Sequence, residues 1–121
     1  MTKILLVEDD VFLVKVYKLK LEKAGYDVTI LEDGSQVVEV ATDIHPDLVV
    51  LDILLPIKDG FEVLGELKKN PKTVSIPVLV LSALQMDKDI EKGKALGASE
   101  YLAKTNVTFE EVMATIKDLV A

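Results

Sequence analysis

Cysteine, arginine and tryptophan are all absent from this 121-residue sequence, and aromatic residues make up only 5% of it. Without cysteine the chain has no disulfide, no thiolate ligand for zinc and no cysteine nucleophile. With so few aromatic residues, its core has to be built from valine, leucine and isoleucine. The lack of cysteine fits a reducing compartment, and we expect a cytoplasmic protein.

Positive charge is also scarce, because 21 acidic residues stand against 14 basic ones, all of them lysine, for a net charge of −7. Domains that bind nucleic acids are usually basic and use arginine for paired contacts with bases. We therefore expect no direct contact with nucleic acid. No apolar run approaches the roughly 20 residues that a membrane-spanning helix needs, so we expect no membrane partner either.

Short runs of branched apolar residues alternate with longer segments of helical periodicity. Several runs are apolar almost throughout, as are strands covered on both faces of a parallel sheet. Five strand–helix units predict an α/β fold, with a flavodoxin-like parallel sheet in the order 2-1-3-4-5 and five helices on both faces. We expect one domain over residues 1–121. The predicted strands are Lys3–Val7, Asp27–Leu31, Leu48–Asp52, Val78–Ser82 and Ser99–Ala103.

The helical segments differ in how well they should be anchored. Thr108 and Glu111 form a capping-box pattern before the last helix, whose apolar residues recur at helical spacing. The fourth helix, Lys88–Leu96, is polar and contains Gly93, and an interior glycine costs about 1 kcal/mol relative to alanine. We therefore expect the fourth helix to be weakly anchored. The first and last helices are predicted at Val11–Lys23 and Phe109–Val120.

Polar residues follow the predicted strands at the edge where parallel strands end together, so we expect these side chains to converge. Crowded carboxylates repel one another, and a hard cation such as Mg²⁺ relieves that repulsion. Capping of the first helix is an alternative role for the first three acids, and a satisfied loop carboxylate is one for the fourth. The residues are Glu8, Asp9, Asp10, Asp52, Ser82 and Lys104.

This set of residues suits phosphoryl transfer. A carboxylate can attack a phosphoryl group and carry it covalently. The transfer needs positioned groups that stabilise charge on the equatorial oxygens of phosphorus. Mg²⁺ can take one of these oxygens, the Lys104 ammonium a second and the Ser82 hydroxyl a third. Asp52 is the candidate nucleophile, because it lies at the open end of an apolar strand.

With these motifs in place, the chain resembles bacterial response-regulator receiver domains, such as the chemotaxis regulators, over essentially its whole length. The resemblance implies that Asp52 accepts a phosphoryl group from a sensor histidine kinase or a phosphotransfer protein. It implies that Ser82 then closes on a phosphoryl oxygen and that Tyr101 turns inward. The segments that carry the resemblance are Ile4–Asp10, Leu51–Gly60, Val80–Ala83 and Gly97–Lys104.

The resemblance also implies a ligand set and a mode of action. Mg²⁺ would be bound by Asp9, Asp52 and the backbone carbonyl of Leu54, with Glu8 assisting. The domain would support only its own phosphotransfer and autodephosphorylation, and would not be an enzyme toward other substrates. Its fourth helix, fifth strand and fifth helix would form the surface for a downstream target protein. It would be a monomer or a phosphorylation-linked dimer.

The sequence departs from the family pattern in two places. The family usually has proline after the strand-five lysine, often with a cis peptide, whereas Thr105 follows Lys104 here. A cis bond before a non-proline residue costs about 2.5–4 kcal/mol, so the sequence leaves open a trans bond or a strained cis one. Leu54 and Leu84 lie where family members flank the path of the hydrolytic water. Apolar side chains there predict a long-lived phosphorylated form.

Three other functions remain open at this point. A binding module could keep the fold without being phosphorylated. Phosphatases with an aspartyl nucleophile generally carry a second aspartate two residues later, where this chain has Leu54. A flavodoxin-like cofactor carrier needs a first loop that welcomes phosphate. Here Glu8, Asp9 and Asp10 would repel an anion, and no G-x-G-x-x-G motif follows the first strand.

Overall fold

Strands and helices alternate along the chain in the computed structural model, which describes residues 1–121. The strands are β1 (Lys3–Val7), β2 (Asp27–Leu31), β3 (Leu48–Leu51), β4 (Val78–Ser82) and β5 (Glu100–Ala103). The α-helices are α1 (Val11–Lys23), α2 (Val37–Ile44), α3 (Gly60–Lys69), α4 (Asp87–Ala95) and α5 (Phe109–Val120). A single 3₁₀ turn, Lys104–Asn106, follows β5.

The five strands form one parallel sheet in the order β2-β1-β3-β4-β5, which confirms the predicted fold. Side chains alternate between its two faces and create two separate cores. One core packs against α1 and α5, and the other against α2, α3 and α4. The chain reverses its direction of travel across the sheet between β1 and β3, so the carboxyl ends of these two neighbouring strands flank a crevice.

Element boundaries differ from the sequence predictions by one residue. Asp52 lies just beyond β3, although its N–H still donates to the carbonyl of Val7 at 3.0 Å. Ser99 similarly precedes β5. Helix α4 begins and ends one residue earlier than predicted, because the Met86 carbonyl accepts N–H groups of the first turn. These shifts leave Asp52 in a loop, directly after the buried end of β3.

Local caps fix the helices around this crevice. The Asp10 carboxylate accepts the N–H groups of Phe12 at 3.0 Å and Leu13 at 3.2 Å, so Asp10 is the N-cap of α1. Thr108 and Glu111 form the predicted capping box of α5. None of the helices combines the length and apolar character that crossing a bilayer requires.

Candidate functional site

Three carboxyl groups converge at the crevice between β1 and β3. One oxygen from each of Glu8, Asp9 and Asp52 lies within 4.8 Å of the others. The register pairs Val7 with Leu51, so the residue after each strand emerges beside its neighbour. Glu8 and Asp52 are 3% and 4% exposed, whereas Asp9 is open to solvent. The acids therefore form a pocket with two buried walls and one exposed edge, as the strand ends predicted.

Lys104, which directly follows β5, reaches into this pocket. Its Nζ lies 2.7 Å from Glu8 Oε1 and 3.0 Å from Asp52 Oδ2. Burial alone would lower the pKa of Lys104, but the hydrogen bonds and charges of Glu8 and Asp52 raise it above the usual lysine value. Burial raises the pKa of Glu8, and the charge of Asp52 adds to this, although Lys104 opposes it. One ammonium group thus contacts two of the three clustered carboxyl groups.

The backbone around Asp52 is held by the loop that follows it. Asp52 Oδ1 accepts the N–H of Leu54 at 3.2 Å, and the N–H of Gly60 donates to the Ile53 carbonyl at 2.8 Å. A Cβ at Gly60 would lie 2.3 Å from the carbonyl oxygen of Asp52. Only glycine allows this approach. The close approach of Gly60 therefore holds the backbone of the loop that carries Asp52.

Ser82 and Tyr101 are joined through one residue of the loop after β4. Ser82 is fully buried, and its Oγ accepts the N–H of Leu84 at 3.3 Å. The Tyr101 hydroxyl donates to the Leu84 carbonyl at 2.8 Å. Tyr101 is 6% exposed, and its hydroxyl is directed toward the loop after β4. Burial and then the charge of Asp89 raise the pKa of Tyr101.

The structure defines the peptide bond between Lys104 and Thr105, which the sequence left open as trans or cis. No peptide bond in the chain is cis, so the Lys104–Thr105 bond is trans. The Thr105 hydroxyl donates to Gln85 Oε1 at 2.5 Å. The loop after β5 is thereby linked to the loop after β4. Sequence reasoning missed this pair, because two exposed polar residues 20 positions apart carry no pairing signal.

Large apolar side chains are exposed in the segments that follow β1, β3 and β4. Leu54 is among them, and Ile57 is 80% exposed and adopts a positive φ of 72°. A β-branched residue rarely takes that conformation. The single histidine, His45, is exposed at the end of α2, away from the crevice. The other exposed apolar residues near the crevice are Val11, Phe12 and Met86.

A family model described as the response regulator receiver domain matches residues 4–117. The chain belongs to this family. Receiver domains are the phosphorylation switches of two-component phosphorelays, and this chain is accordingly a signalling switch, not a conventional enzyme. Such domains exchange signals with histidine kinases and effector domains.

Curated relatives share the receiver domain as part of a longer protein. The DNA-binding dual master transcriptional regulator RpaA of Synechocystis is 39% identical over 98% of this chain and 49% of the relative. The alkaline phosphatase synthesis transcriptional regulatory protein PhoP of Bacillus subtilis is 37% identical over 95% of this chain and 47% of the relative. The chain thus spans about half the length of the curated relatives it matches.

Solved receiver structures share the fold throughout. The BeF3-activated N-terminal receiver domain of RstA from Klebsiella pneumoniae has a TM-score of 0.90 and 30% identity, over 98% of both chains. The receiver domain of a sensor histidine kinase from Pseudomonas aeruginosa has a TM-score of 0.88 and 29% identity, over 98% of this chain and 97% of the other. That structure contains a magnesium ion coordinated in the active-site cleft.

Proposed function

We propose that Asp52 is the residue of this receiver domain that accepts the phosphoryl group, in a reaction that depends on Mg²⁺. The observation that carries the proposal is the shared pocket, in which Lys104 contacts both Glu8 and Asp52 and the oxygens of Glu8, Asp9 and Asp52 converge. A loop carboxylate with only a structural role has no need of two further acids at this distance.

The donor set fits a divalent cation with oxygen ligands. Carboxylate and carbonyl oxygens are what Mg²⁺ prefers, and it is usually held by one or two carboxylates with water and phosphate oxygens. We assign Asp9, Asp52 and the backbone carbonyl of Leu54 as ligands, with Glu8 assisting. Asp9 is the exposed member, which leaves the open side of the pocket for a phosphoryl group. When bound, the cation neutralises charge on a phosphoryl oxygen and on the crowded carboxylates.

The chain's own groups account for the transfer. A carboxylate oxygen of Asp52 forms the new O–P bond as the P–N bond of a phosphohistidine breaks, and the imidazole nitrogen leaves with the electron pair. Lys104, whose raised pKa keeps it protonated, pairs with a phosphoryl oxygen. The Ser82 hydroxyl donates to another. Self-catalysed hydrolysis of the resulting acyl phosphate returns the domain to its resting state.

The change at Asp52 reaches the surface through Ser82. If the Ser82 hydroxyl turns to a phosphoryl oxygen, its bond with the Leu84 N–H is exchanged, and Leu84 also accepts the Tyr101 hydroxyl. Movement of Ser82 thus alters the loop that leads into α4 and the ring that packs below it. We propose that α4, β5 and α5 form the surface that a downstream target protein recognises.

The remaining parts of the proposal concern partners and context. A sensor histidine kinase or a phosphotransfer protein supplies the phosphoryl group, and the exposed apolar residues around the crevice suit a protein partner. The protein acts in the cytoplasm, with residues 1–121 as one domain, as a monomer or a phosphorylation-linked dimer. The acidic surface of this domain makes no direct contact with nucleic acid, whatever output the rest of such a protein has.

Acetyl phosphate, with and without Mg²⁺, tests the proposal directly. Intact mass followed by peptide mapping should show one phosphoryl group, on Asp52, only when Mg²⁺ is present. Asp52→Asn should not be labelled, whereas Asp87→Asn, at an exposed aspartate on α4, should be labelled as the parent is. An unlabelled parent would contradict the proposal and favour a binding module that keeps the fold alone.

A further inference from the structure

Helix α4 meets the core of the protein through a glycine. Six of its nine residues are charged, and Gly93 is its only buried residue. Glycine is a poor choice inside a helix, because its backbone loses more freedom on folding than that of any other residue. A glycine at the only buried position of a helix therefore calls for a packing reason.

The reason lies in the ring beneath it. A Cβ at Gly93 would lie 2.7 Å from Cδ2 and 3.0 Å from Cε2 of Tyr101. Side-chain carbons do not approach a ring so closely. The third neighbour, Cε1 of Phe61, is at 4.0 Å, an ordinary contact. The crowding that an added methyl group would cause is thus confined to the tyrosine.

The Tyr101 ring has little room to retreat while it stays inward. Its backbone is paired with Val80 in the middle of the β4–β5 ladder. Its hydroxyl is bound to the Leu84 carbonyl at 2.8 Å. A methyl group at position 93 can therefore be accommodated only if the ring leaves its pocket or α4 lifts away from the sheet.

We propose that Gly93 is the positioning residue that permits the inward orientation of Tyr101, and that a side chain at this position expels the ring. Expulsion breaks the hydrogen bond to Leu84 and disconnects α4 from the loop that follows Ser82. Position 93 thereby sets how much of the population has the ring inward. This inference extends the proposed function, since it concerns the residue through which the state of Ser82 would reach α4.

A double-mutant cycle separates this role from simple helix packing. Gly93→Ala should lower the unfolding free energy in the parent, because the methyl group meets the Tyr101 ring. In a Tyr101→Val background the ring atoms are gone, and the same substitution should instead raise the folding equilibrium constant about fivefold, since alanine favours the helix. The sign of the effect should therefore invert. An equal loss in both backgrounds, or a double variant that cannot fold, would overturn the inference.

Fluorine NMR of 3-fluorotyrosine-labelled protein reads the ring itself, with Tyr101→Phe for assignment. In Gly93→Ala, the Tyr101 signal should move to a solvent-exposed position and broaden with a soluble paramagnetic agent, while those of Tyr17 and Tyr26 stay fixed. Gly65→Ala on α3 is the matched control, because a Cβ there meets only Leu96 at 3.9 Å. An unmoved Tyr101 signal would contradict the inference even if Asp52 is phosphorylated, and a moved one supports it even if Asp52 is not.

Discussion

Helices α3 and α4 pack on the same face of the sheet but differ in how firmly they are held. Helix α3 buries Gly60, Val63, Leu64 and Leu67, whereas α4 buries only Gly93. Helix α3 follows the loop that carries Asp52, and α4 follows the loop after Ser82. The comparison teaches that the acid pocket is built on anchored segments, while the segment proposed to respond is built to move.

The largest expected effect comes from truncating one apolar side chain in each helix. Leu67→Ala in α3 removes a fully buried side chain and should lower the unfolding free energy by about 2–5 kcal/mol. Ile90→Ala in α4 removes a partly buried one and should cost less than half as much. Urea unfolding of the two variants measures both values. Equal losses would show that α4 is anchored as firmly as α3.

The next prediction concerns how long phosphate stays on Asp52. Leu54, which is half exposed, and Leu84 leave no polar group to orient a hydrolytic water. A Leu54→Asn, Leu84→Glu double variant should lose phosphate about tenfold faster, a change of about 1.4 kcal/mol in the barrier. Decay after removal of acetyl phosphate gives the rates. Leu19→Asn, at an exposed leucine on α1, is the control, and a double variant no faster than the parent would refute the idea.

The pH dependence of the unfolding free energy tests the burial of Glu8 beside Asp52. Because burial raises the pKa of Glu8, the native state holds that proton more tightly than the unfolded chain. The unfolding free energy should therefore fall as pH rises from the ordinary glutamate range through the raised value. Glu8→Gln should flatten this fall when Mg²⁺ is absent. Glu39→Gln, at an exposed glutamate on α2, should keep it, and an unchanged slope in Glu8→Gln would refute the assignment.

The smallest effect is expected at the hydrogen bond between Thr105 and Gln85, which joins the loops after β5 and β4. Thr105→Val removes the hydroxyl that binds Gln85, and should cost about 0.5–1.5 kcal/mol at most, because the bond is exposed. Gln85→Ala should cost a similar amount, and the double variant should cost less than the sum of the two. Strict additivity in urea unfolding would mean that the two side chains do not interact in solution.

The fold and the acid pocket could be predicted because the sheet follows from the pattern of apolar runs and the pocket from the residues at the strand ends. Alternating apolar runs specify a parallel sheet, and the carboxyl ends of parallel strands must meet at one edge, so Glu8, Asp52 and Lys104 had to converge. The N-cap Asp10 and the pair Thr108 and Glu111 were equally readable, because capping acts over three residues.

Contacts between distant segments could not be predicted. From the sequence, Gly93 predicted only a weakly anchored helix, and the contact with the Tyr101 ring is visible only in the packed structure. In the sequence, Thr105 stood out only because it replaces the proline usual in the family. Its hydrogen bond to Gln85 depends on how the loops after β4 and β5 pack against each other. The sequence carries no periodicity or spacing for such pairs, which arise from tertiary packing alone.

Hydrogen exchange with and without phosphorylation tests the central claim most directly. In the unmodified protein, amides of α4 should exchange faster than those of β3 and α3. Acetyl phosphate with Mg²⁺ should change the exchange of α4 and of the loop after Ser82, while β1, β3 and α3 stay as they were, and Asp52→Asn should show no change. Exchange in α4 that is as slow as in β3 and unaffected by phosphorylation would contradict the account.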